Sequence, residues 1–370
     1  MGKHRMRLAV AIALTILVGA TLSLGLASAQ DIRFFRIGTG STAGVNFSVG
    51  SLLASVLSNP PGSRPCDRGG SCGVPGLIAI VQATPGSAAN AREVGTGSLD
   101  SGIVQADVAG NAYAGKGSFT GKNRQENLRA LASLYPEILQ IVVRRDAKVK
   151  SLADLKGKRV SLDTEGSGTE IAARMVLTHA GVKLSSLKTV DVDLGAAVDM
   201  MRQDQLDAFF YAGGLPAPAI SQLSELVPID LLPVSGTLFD RIHKAAPAYE
   251  AVTISRDVYP GLERDVETMS VHSLWVVSAD LDEQLAYDLL QALWHRTSKL
   301  MLASGHPNGR LILPESALKG LTIPLHPGAE KYYAEMKLLP PAAGDGNAVG
   351  GGSGNSGAGS TGKPGASPKK

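Results

Sequence analysis

The stretch from Gly38 to Gly44 (GTGSTAG) holds residue types that suit the binding of a small anion. Its glycines let the backbone turn closely around a ligand, and Ser41 and Thr42 supply hydroxyl groups. A helix predicted to begin just after it adds the unpaired N–H groups of its first turn. Together these groups favour a site for a carboxylate or a similar anion. A plain strand-to-helix turn, with Ser41 or Thr42 as the helix cap, explains the same residues and stays open.

Two predicted elements position this turn. The β-branched and aromatic run Arg33–Ile37 predicts a strand before it, and apolar residues from Val45 to Leu57 recur with helical spacing after it. A second unit of the same kind consists of strand residues 158–162, a polar turn from Asp163 to Gly168, and a helix that ends before Gly181. Two such units predict an α/β fold with two lobes whose helix N-termini face a shared cleft.

Further turns supply candidate ligand contacts. Ser87 opens a helix that contains Asn90, and Gln105 ends a short strand, the position at which open α/β sheets bind ligands. Asp107 is placed either to cap the next helix or to accept an amino group from a ligand. Pro136 predicts a sharp turn between two strands, at the point where the chain leaves the first lobe.

This proline also sets the expected lobe boundaries. We expect the first lobe in residues 30–140, the second lobe in residues 141–269, and a return of the chain to the first lobe in residues 270–341. Two crossings between the lobes imply a hinge, with the ligand in the cleft between them.

Tyr135 and Glu137 flank the proline. Tyr135 would either pack over a ligand at the hinge or only fill the hinge, and Glu137 would accept an amino group from the ligand. The predicted ligand contacts are thus hydroxyls, amides, carboxylates and glycine turns. In chain order they are Thr39, Gly40, Ser41, Thr42, Asn46, Ser87, Asn90, Gln105, Asp107, Tyr135, Glu137, Ser167, Gly168, Thr169, Gly213 and Gly214.

The two ends of the chain have the composition of segments outside a folded core. Residues 1–29 combine a positively charged start, a long apolar run and the small-residue motif Ala27-Ser28-Ala29. These features predict a cleaved signal peptide and export to the periplasm, with a retained membrane anchor as the alternative. Residues 342–370 are dominated by small and polar residues, and such a segment is expected to be disordered.

The charge of the chain argues against a nucleic-acid partner. The formal net charge is +3 for 370 residues, and removal of Lys3, Arg5 and Arg7 with the signal peptide leaves no surplus. Binding to nucleic acid or to anionic lipid relies on such a surplus. The remaining core of about 310 residues is large enough for two domains.

The two cysteines, Cys66 and Cys72, lie close together in a loop rich in Gly and Pro. In an exported protein this spacing predicts a disulfide that holds a small surface loop. No histidine is near them in the sequence, so we expect no metal site.

Two enzyme classes fit the sequence poorly. Gly38-x-Gly40-x-x-Ala43 follows a strand, but the acidic residue that a dinucleotide site needs about 20 residues later is replaced by a Pro-rich turn. A hydrolase would need a nucleophile with a histidine partner, and the seven histidines are scattered without a motif. We therefore expect neither catalysis nor a cofactor.

The ordered set of motifs resembles one family, the TAXI-type solute receptors of tripartite (TRAP) transporters. The resemblance covers about residues 35–339 and is carried by the segments IGTGSTAGVNFSVG, TPGSAANAREVGTGSLDSGIVQADVA, LYPEILQIVVR, SLADLKGKRVSLDTEGSGTEIAARMVL and QLDAFFYAGGLP. SLADLKGKRV with a GSG turn is similar to many bilobal binding proteins, so the order of the segments carries the likeness. The Gly-rich tail and the cysteine loop are not part of it.

The resemblance implies a periplasmic-binding-protein type II fold without catalysis. It also implies a small carboxylate or amino acid as ligand, with glutamate or glutamine as the first guess, and delivery of that ligand to a TRAP-type membrane permease. A receptor of the same fold that serves an ATP-driven (ABC) importer or a sensor kinase is the alternative.

Overall fold

A computed structural model describes residue 2 and residues 32–339 of the protein. Apart from residue 2, the predicted signal peptide and the predicted tail lie outside these residues. The strands are β1 (Arg33–Gly38), β2 (Ser58–Asn59), β3 (Val74–Pro75), β4 (Leu77–Gln82), β5 (Ser101–Gln105), β6 (Leu128–Arg144), β7 (Arg159–Ser161), β8 (Lys188–Val190), β9 (Ala208–Gly213), β10 (Ile229–Leu231), β11 (Glu250–Ile254) and β12 (Val266–Ser278).

The α-helices follow most of the strands and cover the sheet. They are α1 (Val45–Leu57), α2 (Ser87–Gly95), α3 (Ala106–Ala114), α4 (Gly168–His179), α5 (Leu194–Arg202), α6 (Pro218–Leu226), α7 (Gly236–Ala245), α8 (Glu283–Leu293), α9 (Arg296–Gly305) and α10 (Pro327–Glu335). Within residues 32–339, none of these helices combines the length and the apolarity that crossing a membrane requires.

Ten strands form one mixed sheet in the order β4-β1-β5-β12-β6-β9-β7-β8, with β10 beside β6 and β11 beside β12. Strands β4, β1 and β5 run parallel to one another, as do β9, β7 and β8. The two parallel groups are joined by β12 and β6, which run antiparallel to each other and to their outer neighbours. The predicted α/β fold class is therefore confirmed, and the structure adds that one mixed sheet spans both parallel groups.

Apolar side chains cover both faces of this sheet. Consecutive strand residues point to opposite faces, and accordingly Phe209 and Trp275 belong to one buried cluster while Phe210 and Val276 belong to the other. The predicted apolar face of α1 packs into the first of these clusters. Helices on both sides thus hold the sheet, and the turns after its strands are left free for a site.

The sharp turn predicted at Pro136 is wrong, because β6 runs without a break from Leu128 to Arg144. Leu134 and Tyr135 of β6 stand opposite the single residue Ser273 of β12, so the irregularity is a β-bulge. A bulge accommodates proline, which lacks the N–H that a regular ladder needs. The proline marks a change of register inside one long strand.

Cys66 and Cys72 form the predicted disulfide, with their Cα atoms 4.8 Å apart. No histidine is near these cysteines in the sequence, but one is near them in the structure. His295, between α8 and α9, places its Nε2 atom 3.8 Å from Cys66 Sγ.

Candidate ligand-binding cleft

A cavity of about 40 Å³ lies where the turns after β1, β4, β5 and β7 meet the end of β9. A space of this size admits only about three water molecules, so a larger molecule needs the walls to move apart. Both parallel groups of strands contribute to its lining. The lining residues are Thr39, Gly40, Ser41, Gly44, Asn46, Pro85, Gly86, Ser87, Gln105, Glu137, Asp163, Ser167, Gly168, Thr169, Leu194, Tyr211 and Ala212.

Direct hydrogen bonds cross the cleft. Ser41 Oγ donates to Asp193 Oδ2 at 2.7 Å, and the backbone N–H of Val45 donates to the Tyr211 hydroxyl at 3.1 Å. The N–H groups of residues 88 and 89 in α2 donate to the carbonyl oxygen of Gly166 at 3.0 and 3.1 Å. These bonds link turns of the first parallel group to turns of the second, so the cleft is closed.

Glu137 is a buried carboxyl group at the floor of the cleft. Asn46 Nδ2 and Ser273 Oγ donate to its Oε1 at 2.9 and 2.8 Å, and Gln105 Nε2 donates to its Oε2 at 2.7 Å. Burial raises the pKa of Glu137, and the bonds from Gln105, Asn46 and Ser273 oppose this increase. Among the described residues, Gln105 Oε1 has no hydrogen-bond partner. The floor therefore holds an anchored carboxyl group next to an amide with a free acceptor.

Asp163 and Tyr211 line the cleft but were not predicted as ligand contacts. Asp163 lies two residues after the end of β7 and has a φ of 78°. Burial raises the pKa of its carboxyl group to about 6, and hydrogen bonds from residues 164 and 169 lower it. Burial also raises the pKa of the Tyr211 hydroxyl. The signal for Asp163 was its place at the carboxyl end of a strand, the same signal that identified Gln105.

The structure brings ten of the predicted contacts together in this lining. The hydroxyl, glycine and amide turns account for most of them. They are Thr39, Gly40, Ser41, Asn46, Ser87, Gln105, Glu137, Ser167, Gly168 and Thr169.

Three further predicted contacts lie near the cleft without lining it. Asn90 is fully buried, and its Nδ2 donates to the carbonyl oxygens of Thr39 and Ile103, both at 2.8 Å. Tyr135 is buried below the floor, where its hydroxyl donates to Asn46 Oδ1. Asn90 thereby fixes the turn after β1, and Tyr135 fixes the amide that bonds to Glu137.

Asp107 is the third predicted contact that lies near the cleft without lining it, and its carboxyl group faces the Tyr249 hydroxyl. The Tyr249 hydroxyl donates to Asp107 Oδ2 at 3.0 Å, while Asp107 Oδ1 is buried without a partner in the described part of the chain. Burial raises the pKa of Asp107 to about 6, and the bond from Tyr249 opposes this increase. Asp107 thus lies outside the lining, two residues after the cleft residue Gln105.

The remaining predicted contacts, Thr42, Gly213 and Gly214, are also outside the lining. Thr42 is exposed to solvent. A side chain at Gly214 would collide with Val45 and Asn308, at 2.6 and 2.7 Å from its Cβ position. Close packing explains this glycine without a ligand.

Ser41 and Ser167, both predicted as hydrogen-bond donors to a ligand, differ in whether they cap a helix. Helix α1 is capped by Gly44 without a side-chain bond, so the interpretation of Ser41 or Thr42 as its cap is wrong. Ser41 turns across the cleft to Asp193 instead. Ser167 caps α4, because its Oγ accepts the N–H of Glu170 at 2.9 Å.

Substitution Ser167→Ala should lower the free energy of unfolding by about 1 kcal/mol, the usual contribution of a serine N-cap. Urea denaturation monitored by circular dichroism measures it. Ser167→Thr keeps the acceptor and is the matched control. Equal stability of the alanine variant and the parent protein would contradict the capping role.

The cleft is acidic. Glu137 and Asp163 line it and Asp193 bonds to one of its residues, whereas its lining contains no Lys or Arg within residues 32–339. Carboxyl groups in a buried site attract a cationic partner or bind protons themselves. The arrangement therefore suits a polar molecule that carries an amino group.

The chain was compared with curated protein sequences, with solved structures and with family profiles. A binding protein of Brucella abortus is 34% identical over 79 residues, which cover 21% of this chain and 23% of that protein. The chain thus matches about a quarter of the length of this curated relative. Among solved structures, the alkanesulfonate-binding protein SsuA from Xanthomonas axonopodis pv. citri bound to MOPS is 18% identical, with a TM-score of 0.43, covering 84% of this chain and 82% of that one.

An ancestral arginine-binding protein bound to arginine is 14% identical to this chain, with a TM-score of 0.41, covering 82% of this chain and 97% of that protein. The profile of the NMT1-like family matches residues 37–336. These residues include every residue that lines the cleft and all of both parallel groups of strands except the first four residues of β1. The chain therefore belongs to the NMT1-like family.

Proposed function

We propose that this protein is an exported receptor that closes around a small solute carrying an amino group and a carboxylate, such as glutamate or glutamine. It would act in the periplasm as a TAXI-type receptor and pass the solute to a TRAP-type permease. The proposal is of a binding protein and not of an enzyme. The observation that carries it is the acidic cleft, whose two walls come from different groups of strands and bond to each other directly.

The amino group of the solute is assigned to the carboxyl groups of the cleft. Glu137 Oε1 already accepts two hydrogen bonds, whereas within residues 32–339 its Oε2 accepts only the bond from Gln105. A carboxylate oxygen can accept two bonds, so Oε2 can take one more. Gln105 Oε1, next to it, is a second acceptor. An ammonium group would satisfy both and would neutralise a buried charge.

The carboxylate of the solute is assigned to backbone N–H groups at helix starts. Helices α1 and α2 begin at Gly44 and Gly86 without side-chain caps. Their first-turn N–H groups now bond to Tyr211 and Gly166 across the cleft. When the cleft opens, these donors become available to an anion, and each helix start contributes about 0.3–1 kcal/mol.

The transport partner is proposed from the resemblance of the sequence. A TRAP-type permease gene beside this gene is the expected arrangement. An importer ATPase gene or a sensor kinase gene in that position would assign the protein to the alternative partner.

A thermal-shift screen tests the ligand. Glutamate and glutamine should raise the melting temperature, since a ligand at a hundredfold excess over its Kd stabilises the native state by about 2.7 kcal/mol. Glutarate, which matches glutamate except for its amino group, should not. A panel of amino acids and organic acids in which nothing stabilises the protein would reject the receptor function, and equal shifts by glutarate and glutamate would reject the role of the amino group.

Substitution Ser41→Ala should weaken binding of the stabilising compound about tenfold, because one hydrogen bond near a charged group is lost. Isothermal titration calorimetry measures the change. Ser55→Ala is the matched control, since the Ser55 hydroxyl bonds only to the carbonyl oxygen of Ser51 within α1. Unchanged affinity of Ser41→Ala would remove Ser41 from the site.

A further inference from the structure

The loop that carries the disulfide contacts the start of α9. Cys66 Sγ lies 3.8 Å from His295 Nε2, and the Thr297 hydroxyl donates to Cys72 Sγ at 3.2 Å. One ligand atom from each of Cys66, Cys72 and His295 fits within 4.8 Å of the others. Two sulfurs and one imidazole nitrogen, from segments more than 200 residues apart in sequence, thus converge at one surface point.

We propose that reduction of the Cys66–Cys72 disulfide turns this point into a binding site for a soft d10 cation, with Zn²⁺ as the probe. The ligands are the two thiolates and His295 Nε2, and water completes the tetrahedron. This donor set is one that zinc sites use, with Zn–S near 2.3 Å and Zn–N near 2.0 Å. The site lies outside the ligand-binding cleft and does not depend on the receptor function.

The orientation of the His295 ring supports a metal ligand. Nδ1 lies 2.5 Å from Thr297 Oγ1, and the Thr297 hydroxyl gives its own proton to Cys72 Sγ. The backbone N–H of Thr297 also points at Nδ1, at 3.3 Å, so Nδ1 is the N-cap acceptor of α9 while no ion is bound. A metal on Nε2 requires the other tautomer, with the proton on Nδ1, and Thr297 Oγ1 is then the acceptor within reach of that proton. Such a second hydrogen bond on a metal-binding histidine fixes its tautomer and its ring, and Thr297 supplies it.

The loop can supply the movement that the site needs. Two thiolates on one tetrahedral ion stand about 3.8 Å apart, so the sulfurs must separate after reduction. Gly69, between the cysteines, has a φ of +76° and space for change around it. On the far side, Ser71 Oγ donates to the carbonyl oxygen of Ser58 at 2.5 Å, which keeps Cys72 next to Thr297. The reduced loop would thus open on the Cys66 side while remaining anchored.

The chemistry balances with a small dithiol as reductant. The protein S–S bond breaks, two S–H bonds form, and the dithiol supplies two electrons and two protons as it becomes a cyclic disulfide. Binding of the cation then releases the two thiol protons to solvent, because thiolates are the ligands. The loop is closed by a covalent bond in the oxidised protein and by the ion in the reduced protein.

Anaerobic zinc titration of the untagged full chain tests the proposal. The protein is reduced with a phosphine, desalted, and titrated against a chromophoric zinc indicator. We expect one Zn²⁺ per reduced chain, none per oxidised chain, and X-ray absorption showing two sulfur ligands. Reduced protein that binds no zinc, or binds well below one equivalent, would overturn the proposal.

Substitutions of His295 and Thr297 distinguish zinc binding at this site from zinc binding by the two thiols alone. His295→Asn keeps an N-cap acceptor for α9 and removes Nε2, so it should weaken zinc binding at least about tenfold with little change in melting temperature. Thr297→Val should weaken it by about 10–100-fold. His179→Asn, on α4, is the matched control and should bind as the parent does. Unchanged affinity of His295→Asn would exclude the site, and the Cys66→Ser/Cys72→Ser variant shows whether the chain folds without the bridge.

Discussion

Replacement of Glu137 by leucine should lower the free energy of unfolding by about 3 kcal/mol. Three donors would lose their acceptor, the buried Gln105 and Ser273 and the half-buried Asn46, and each unpaired buried donor costs about 1–3 kcal/mol. Relief of the burial cost of a carboxylate offsets part of this loss. Urea denaturation at pH 7 measures the effect.

Substitution Glu137→Gln is the matched variant and should cost only about 1 kcal/mol. The new amide still accepts the bonds from Asn46 and Ser273. Its NH₂ group would face the NH₂ group of Gln105, but rotation of the Gln105 amide presents Oε1, which now has no partner within the described chain. Binding of an amino-bearing solute should nevertheless fall at least about tenfold, since the charge is lost. Equal losses of stability in the leucine and glutamine variants would contradict this account of the floor.

The protein should lose stability as the pH rises from about 4 to about 6. Burial raises the pKa of both Asp107 and Asp163 to about 6, against about 3.9 in an unfolded chain. Between these values the native state holds a proton that the unfolded state has released, so a rise in pH favours unfolding. Each group contributes about 3 kcal/mol over this range. Glu137, whose pKa is also raised, acts in the same direction.

Denaturation curves at several pH values between 4 and 7.5 measure this dependence. Asp107→Asn keeps an acceptor for the Tyr249 hydroxyl and should reduce the dependence by about 3 kcal/mol, because one of the titrating groups is gone while Asp163 and Glu137 remain. Asp240→Asn, at an exposed position, is the matched control. A parent protein that is equally stable at pH 4.5 and pH 7 would contradict the prediction.

Local patterns in the sequence were sufficient to predict the turns that line the cleft. A strand, a small-residue turn and an amphipathic helix follow one another around Ser41 and again around Ser167, and both turns line the cavity. Gln105 was found because a strand ends there, and open sheets bind ligands at such ends. These signals are local, since a helix start and a strand end depend on neighbouring residues.

Contacts between distant segments were not predictable in this way. Ser41 bonds to Asp193, 152 residues away, and the cap interpretation failed because this partner is not visible in the turn itself. Pro136 has the local signature of a turn, but its pairing with β12 overrides that signature through a bulge. His295 comes within 3.8 Å of Cys66 by the same kind of long-range packing. The contacts of Ser41, Pro136 and His295 are thus set by residues that are distant in the sequence.

The continuity of β6 and β12 has a mechanical consequence for the cleft. Both strands lie between the two parallel groups. Because β12 pairs with β5 on one side, β6 pairs with β9 on the other, and the two pair with each other, one hydrogen-bonded ribbon joins the groups. The pairing of this ribbon is irregular at the bulge beside Tyr135, below the cleft floor, and a bulge locally disrupts the ladder and increases the twist of the strands. We therefore expect opening of the proposed receptor to bend the ribbon at this bulge, while the hydrogen bonds that join Glu137 to Asn46 and Gln105 stay in place.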